Sequence, residues 1–176
     1  KGEEPASNDA PETPKVVLPE LTYIEVDAET LEKEQAMADA QLLRYCDKAH
    51  TVMIAQVLSV FEQENEQKVS LLVEERVYGR PRGVIDVWIP APITTTDPTR
   101  IYPRVVEGYQ MLVFLNRQGR LIEGNSLYLV QGGFAWRNKR HDAFLQPSSN
   151  RDWVDQVDPS QDYIVFSLDQ IRACLE

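Results

Sequence analysis

The spacing of apolar residues predicts a helix near the start of the chain. Between residues 27 and 49, apolar positions recur at spacings of seven, four, four and three, and so fall on one helical stripe. The stripe consists of Leu31, Ala38, Leu42, Cys46 and Ala49. Asp27 stands before it as the expected N-cap. The acidic residues off the stripe are expected to form a solvated outer face, and they include Glu32, Glu34 and Asp39.

After residue 49 the period changes to two, which is typical of β-strands. Five strands are predicted, over residues 50–60, 69–78, 84–89, 109–115 and 126–136. Residues 61–68 are polar and are expected to form a hairpin loop, and residues 79–83 a turn. Gly132 and Gly133 interrupt the fifth strand and indicate a bulge or sharp bend. A short apolar run at 163–166 precedes a closing helix at 168–175.

Five consecutive strands at short spacing predict a mainly β fold, a five-stranded antiparallel OB-like barrel with an N-terminal helix and a short C-terminal helix. A closed barrel is expected because closure removes the exposed edges of such apolar strands. The proline-rich residues 90–108 are expected to form a long ordered loop. Residues 1–20 are rich in Pro, Glu and Ala and predict a flexible tail, which leaves 21–176 as a single domain.

The order of these signals resembles a known family. A helix ends in Cys46-Asp47-Lys48-Ala49, a later strand runs into Val77-Tyr78-Gly79, and a further one reads Glu107-Gly108-Tyr109-Gln110-Met111-Leu112-Val113-Phe114-Leu115. Over residues 46–136 this is similar to the OB-fold domains of the netrin-like and tissue-inhibitor-of-metalloproteinases group, bacterial envelope members included. The resemblance implies that fold and a bias toward protein binding. It does not imply metalloproteinase inhibition, because Cys46 follows a helix and has no free amine for chelating zinc.

Charge is unevenly distributed along the chain. The protein has 18 basic and 28 acidic residues, a net charge of −10, which argues against a nucleic-acid partner. Residues 76–140 nevertheless hold ten basic and only four acidic side chains. These arginines either pair with acidic residues of the same molecule or form a recognition surface for a carboxylate, a phosphate or an acidic partner. The candidate surface consists of Arg80, Arg82, Trp88, Arg100, Tyr102 and Arg104.

The residue types associated with catalysis and metal binding are scarce. Two cysteines and two histidines occur, with no spacing typical of a zinc site, and the glycine-rich turns lack the residues of a phosphate loop. No catalytic residue, metal or other cofactor is therefore predicted. Cys46 and Cys174 lie on the first and last predicted helices, so they either form a disulfide, if those helices pack together, or remain two separate buried thiols.

The expected function is that of a non-enzymatic, exported protein-binding module. The polar leash, the lack of an initiator Met and the lack of a signal peptide fit a mature periplasmic or secreted protein with a partner in the cell envelope. They fit a trimmed cytosolic protein with an ordinary flexible end as well, and the tail alone does not decide between the two. A lipid anchor upstream of Lys1 would fit the same pattern, and no apolar run is long enough for a transmembrane segment. The alternative is a glycan- or small-ligand-binding module that uses Trp88, Tyr102 and Trp136 together with arginines on the barrel face.

Overall fold

A computed structural model describes residues 18–20, 25–146 and 161–176 of the chain. Residues 1–17 of the predicted tail therefore lie outside the described residues. Leu18 itself is buried against the core, and Glu20 forms a parallel bridge with Gln146. Among the described residues, no helix is both long enough and apolar enough to cross a membrane.

The described chain is mainly β, with a helix near each end, as the sequence predicts. The helices are α1 (Ala28–Lys48) and α2 (Leu168–Cys174). Seven strands lie between them: β1 (Thr51–Glu62), β2 (Glu66–Tyr78), β3 (Val84–Pro90), β4 (Gln110–Leu115), β5 (Leu127–Gln131), β6 (Phe134–Asn138) and β7 (Tyr163–Ser167). The long loop after β3 is present and contains a single 3₁₀ turn at Pro98–Arg100.

All seven strands pair antiparallel in one sheet, in the order β3-β2-β1-β4-β5-β6-β7. The prediction of a closed five-stranded barrel is wrong in strand number and in closure, because β3 and β7 form the two edges of an open sheet. Closure is not needed to seal the core. The sheet curls, and loop residues fill its inner face; they include Val105, Tyr109, Leu121 and Phe144.

The curl of the sheet brings distant strands around one core. Val87 and Ile89 of β3 line the same small apolar cavity as Leu127 of β5. Trp136 of β6 and Tyr163 of β7 stack edge to face in this same cluster, with ring centroids 5.2 Å apart. We call the face toward this cluster the inner face and the opposite face the outer face.

The two helices cover only part of the outer face. In α1, the side chain of Asp27 accepts a hydrogen bond from the N–H of Thr30 (2.8 Å), which confirms the predicted N-cap. Ala38, Leu42 and Tyr45 of α1 pack with residues of β1, β4, β5, β6 and β7. Ile171 of α2 joins the same cluster. The outer face of β3 and of the adjoining parts of β1 and β2 carries no helix.

The predicted fifth strand is in fact a hairpin of two strands. Gly132 and Gly133 have φ values of +59° and +84°, so they form a two-residue turn between β5 and β6. Two successive residues with positive φ match the turn that joins neighbouring antiparallel strands and do not match a bulge within one strand. The apolar run at 163–166 pairs with β6 and completes the count of seven.

The β1–β2 hairpin is longer than the polar sequence predicts. Phe61 pairs with Lys68 and Glu62 with Gln67, so the loop predicted over 61–68 shrinks to residues 63–65. Register shifts between these strands rotate later residues of β2 onto the other face. Val77 therefore packs in the cluster beneath the helices, while Val69 and Leu71 face the inner core.

Candidate binding surfaces

Strand β3 has one edge whose backbone polar groups face away from the sheet. The N–H of Val73 donates to the carbonyl of Gly83 (2.9 Å), which makes the neighbouring Leu72–Val84 pair a non-hydrogen-bonded pair. In an antiparallel ladder these pairs alternate with hydrogen-bonded ones. The backbone groups of Val84, Asp86 and Trp88 consequently point away from β2. Within the described chain, no strand pairs with β3 on that side.

The outer face beside this edge is apolar and exposed. Phe61, Val84 and Trp88 are 62%, 57% and 46% exposed, and Leu58 and Leu72 are also exposed. Register places Val84 directly opposite Leu72, and places Phe61, Lys68 and Trp88 in one row across the three strands. We call these five apolar side chains, Leu58, Phe61, Leu72, Val84 and Trp88, the apolar arm.

One carboxylate interrupts the apolar arm. Asp86 accepts a hydrogen bond from the hydroxyl of Ser70 (2.7 Å), and the Nζ of Lys68 lies 3.8 Å from its other oxygen. The same Lys68 Nζ lies 5.6 Å from the centroid of the Trp88 ring. A charge on an edge strand disfavours pairing with an unsuitable strand, so Asp86 restricts what can add to this edge.

A second surface is a polar groove where α1, β1, β2 and β4 come together. It has a volume of about 620 Å³ and is lined by Asp47, Lys48, Ala49, His50, Tyr78, Gly79, Arg80 and Arg117. We call it the basic groove. Lys48, Arg80 and Arg117 form no salt bridge with any described carboxylate. The groove is therefore positive within a protein of net charge −10.

The floor of the basic groove depends on glycine at position 79. Gly79 has φ +80°, and a Cβ there would lie 2.7 Å from the carbonyl oxygen of His50. We expect Gly79→Ala to lower the free energy of unfolding by about 2 kcal/mol, because the strained backbone and the backbone contact add. Denaturant unfolding measures the loss. Gly83→Ala, at φ +71° with open space around it, is the matched control and should lose less; an equal loss would contradict the steric argument.

Some of the predicted site arginines form salt bridges within the molecule and others form none among the described residues. Arg104 lies 3.2 Å from Glu62, and Arg100 lies 3.6 Å from Asp97, so these two pair within the molecule. Arg80 and Arg82 belong to the turn before β3 and form no salt bridge among the described residues. Since β3 spans about 20 Å between that turn and Pro90, Arg80 and Arg82 lie at one end of the strand and Trp88 near the other.

The predicted aromatic set is not assembled in one place. Trp88 lines a groove of about 490 Å³ together with Pro90, Arg120 and Gly124. The Tyr102 ring lies close to Gly124, within 3.0 Å of where a Cβ would stand, and so reaches the wall of the same groove. Trp136 is fully buried in the inner core and cannot stack on a ligand at this groove.

A buried ion cluster lies under α1, where the sequence predicts only solvent. Glu34 is 6% exposed; it lies 3.4 Å from Lys139 Nζ and accepts two hydrogen bonds from Arg140, at 2.7 and 2.9 Å. Burial by itself would raise the pKa of Glu34, but hydrogen bonds and charge from Arg140 and Lys139 outweigh burial and lower it. The prediction of an exposed Glu34 is wrong because the cationic run 139–140 approaches from the opposite end of the sequence.

A neighbouring buried network joins the helix to the sheet through uncharged partners. Arg137 donates to the side-chain oxygen of Gln41 (2.7 Å) and to the carbonyl of Asn125 (2.8 Å), and its guanidinium lies 4.6 Å from the Tyr128 ring centroid. The hydroxyl of Tyr45 donates to the Asn125 side chain at 2.8 Å. These contacts fix α1 on the sheet and account for polar residues that interrupt the helical stripe.

The two cysteines lie together between the helices. Cys46 of α1 and Cys174, the last residue of α2, are half-buried thiols, close enough for Cys174 to influence the ionisation of Cys46. Burial raises the pKa of the Cys46 thiol well above its ordinary value, and the contact with Cys174 raises it further. The two helices thus bring the cysteines near each other, as the disulfide alternative requires.

Within residues 18–20, 25–146 and 161–176, no three His, Cys, Asp or Glu side chains come close enough together to hold a metal ion. A comparison of the sequence with protein-family models and with curated proteins finds no match to either. The resemblance to the netrin-like and inhibitor group stays a prediction. The function is therefore inferred from the two surfaces themselves.

Proposed function

We propose that the chain is a non-enzymatic, exported protein-binding module in which β3 accepts an extended segment of a partner protein as an added strand. The observation that carries this proposal is the outward edge of β3, with which no strand of the described residues pairs, beside the apolar arm. Backbone groups on such an edge supply affinity to any extended chain, and side-chain contacts on the adjoining face supply specificity.

The partner segment is expected to alternate apolar and polar side chains. Its residues that share the outer face would pack beside Val84 and Trp88, and one of them would lie next to Asp86. A basic residue suits the position next to Asp86. Arg82, exposed and without a salt bridge in the turn before β3, suits an acidic residue at that end of the segment.

A second copy of the chain fits this edge poorly. Two β3 strands paired antiparallel about the centre of their outward-pointing residues, Val84, Asp86 and Trp88, would place Asp86 of one copy directly opposite Asp86 of the other. Like charges in directly opposed positions destabilise a strand pair. The Asp86 carboxylate therefore favours binding of a segment from another protein over self-association of this chain.

The composition of the first twenty residues and the adjacent thiols support a place outside the cytoplasm. Residues 1–20 have the composition of a polar leash, and Cys46 and Cys174 lie where an oxidising compartment would allow them to bridge. Both features fit an envelope protein that binds its partner through exposed surfaces on a rigid sheet.

The test compares two substitutions at one position of β3. Asp86→Pro and Asp86→Ala both remove the carboxylate, but only proline removes the outward N–H. Both lose the exposed side-chain hydrogen bond from Ser70, but neither removes a backbone β2–β3 hydrogen bond, because the N–H of Asp86 points away from β2, so both variants should fold. Circular dichroism and denaturant unfolding check that they do.

Binding is measured with peptides selected from a random phage-displayed library on the immobilised wild-type protein. Isothermal titration of the selected peptides should show affinity at least about tenfold weaker for Asp86→Pro than for Asp86→Ala, the equivalent of about 1.4 kcal/mol. Selected peptides should share an alternating pattern of apolar residues. Equal affinity for the two variants, or a selection that yields no binder, would overturn the proposal.

A further inference from the structure

The basic groove gathers cationic side chains from parts of the chain that are distant in sequence. Lys48 ends α1, Arg80 lies in the turn after β2, and Arg117 lies in the turn after β4. Lys48 also offsets the partial negative charge at the C-terminal end of α1. Arg80 and Arg117 have no such role, since neither lies on a helix.

The arginines of the groove differ from several other arginines of the described chain, which meet carboxylates. Arg44 meets Glu123, Arg104 meets Glu62, and Arg172 meets Glu75. Arg80 and Arg117 meet no carboxylate of the described residues, although acidic residues outnumber basic ones in the chain. The one carboxylate that lines the groove is Asp47, so the lining carries an excess of positive charge.

Cations that line one groove and outnumber its carboxylate repel one another, and an external anion relieves that repulsion. We propose that the basic groove binds a small molecule or headgroup that carries a phosphate group. Two guanidinium groups can each donate paired hydrogen bonds to phosphate oxygens, and the ammonium group of Lys48 adds a point charge. The exposed Tyr78 supplies a hydroxyl on the same wall.

The fixed shape of the groove supports the same assignment. Gly79, between Tyr78 and Arg80, lies so close to the His50 carbonyl that no larger residue fits without displacement of the backbone. The base of Arg80 is thereby fixed against the start of β1. A volume of about 620 Å³ exceeds what a bare phosphate needs and leaves room for the group to which the phosphate is attached. This site is separate from the edge of β3 and does not depend on strand addition.

The test uses a pair of double variants that change the net charge equally. Arg80→Gln with Arg117→Gln removes two charges from the groove. Arg82→Gln with Arg120→Gln removes two unpaired charges outside it, and serves as the matched control. Since all four arginines are exposed and without salt bridges among the described residues, both double variants should fold.

Inorganic phosphate is the first probe. Its binding is measured by isothermal titration and by changes in the backbone amide chemical shifts near Gly79. The wild-type protein should bind it saturably, the groove variant at least about tenfold more weakly, and the control within about twofold of the wild type. Vesicles of phosphatidylcholine with and without phosphatidic acid form the second arm. Groove-dependent binding of the acidic vesicles assigns the site to a lipid headgroup, and binding of inorganic phosphate alone assigns it to a soluble phosphate compound.

Two results would overturn the proposal. The first is the absence of saturable phosphate binding by the wild-type protein in either arm. The second is an equal loss of binding in the two double variants, since that result would mean that net charge rather than the groove attracts the anion.

Discussion

Oxidation should join Cys46 to Cys174 and raise the free energy of unfolding by about 4–5 kcal/mol. The two thiols lie near each other where α1 and α2 meet, so the bond would join neighbouring segments of the fold. The bridge would close a loop that contains all seven strands, and in the chain-entropy model a loop of this length gives a stabilisation of that size. With oxidised glutathione, the two thiols lose two protons and two electrons and the reagent becomes two glutathione thiols.

Denaturant unfolding with and without a reducing agent measures this gain, and a thiol count under denaturing, non-reducing conditions verifies the bond. The rate of bridging should rise with pH, because the pKa of Cys46 is raised and the reactive thiolate is scarce at neutral pH. Cys174→Ser is the control and should show no redox dependence. Two free thiols after prolonged oxidation at high pH would contradict the prediction.

Replacement of Glu34 by Gln should lower the free energy of unfolding by about 3–4 kcal/mol at neutral pH. The change takes the carboxylate away from Arg140 and from Lys139, whose side chain is fully buried. Removal of one partner from a buried ion cluster costs far more than the loss of a surface pair, because buried cations lose an anionic neighbour where water cannot replace it. Glu32→Gln, at an exposed position of the same helix, should change stability by less than about 0.5 kcal/mol.

The same pair of proteins gives a pH test. The pKa of Glu34 lies below its unfolded value, so its contribution to stability is fully present above the unfolded pKa and is lost as pH falls through the folded one. Wild-type stability should therefore fall more steeply below about pH 4.5 than that of Glu34→Gln, and the two curves should converge. Parallel curves from pH 7 to pH 3 would show that the cluster contributes nothing.

The regular elements follow from local pattern, so most of them could be predicted. The stripe through Ala38 and Leu42 and the N-cap at Asp27 determine α1, and strict alternation at Ile85, Val87 and Ile89 determines β3. Such signals lie within a few neighbouring residues. Whether the sheet closes could not be predicted in the same way, because closure depends on which residues fill the inner face. The loop residues that fill it carry no periodic signal in the sequence.

The sites were harder to predict because they depend on long-range contacts. Ten basic residues between 76 and 140 look alike in sequence, yet some meet carboxylates and others do not. Glu34 finds Arg140 more than one hundred residues away. Spacing alone did not separate Arg80 from Arg104. The Gly132-Gly133 pair did carry a readable signal, since two adjacent glycines between alternating apolar runs are typical of a hairpin turn.

Because the helices cover only part of the outer face, the two halves of the sheet should differ in local stability. Strands β4 to β7 have packed side chains on both faces, whereas β3 has neighbours on its inner face and a single strand beside it. Local openings in proteins begin where fewest buried contacts must be broken. Local unfolding should accordingly start at β3 and extend into β2 and β1. The strands covered by the helices should stay folded. The surface proposed to bind a partner is thus also the part of the molecule that should unfold locally first.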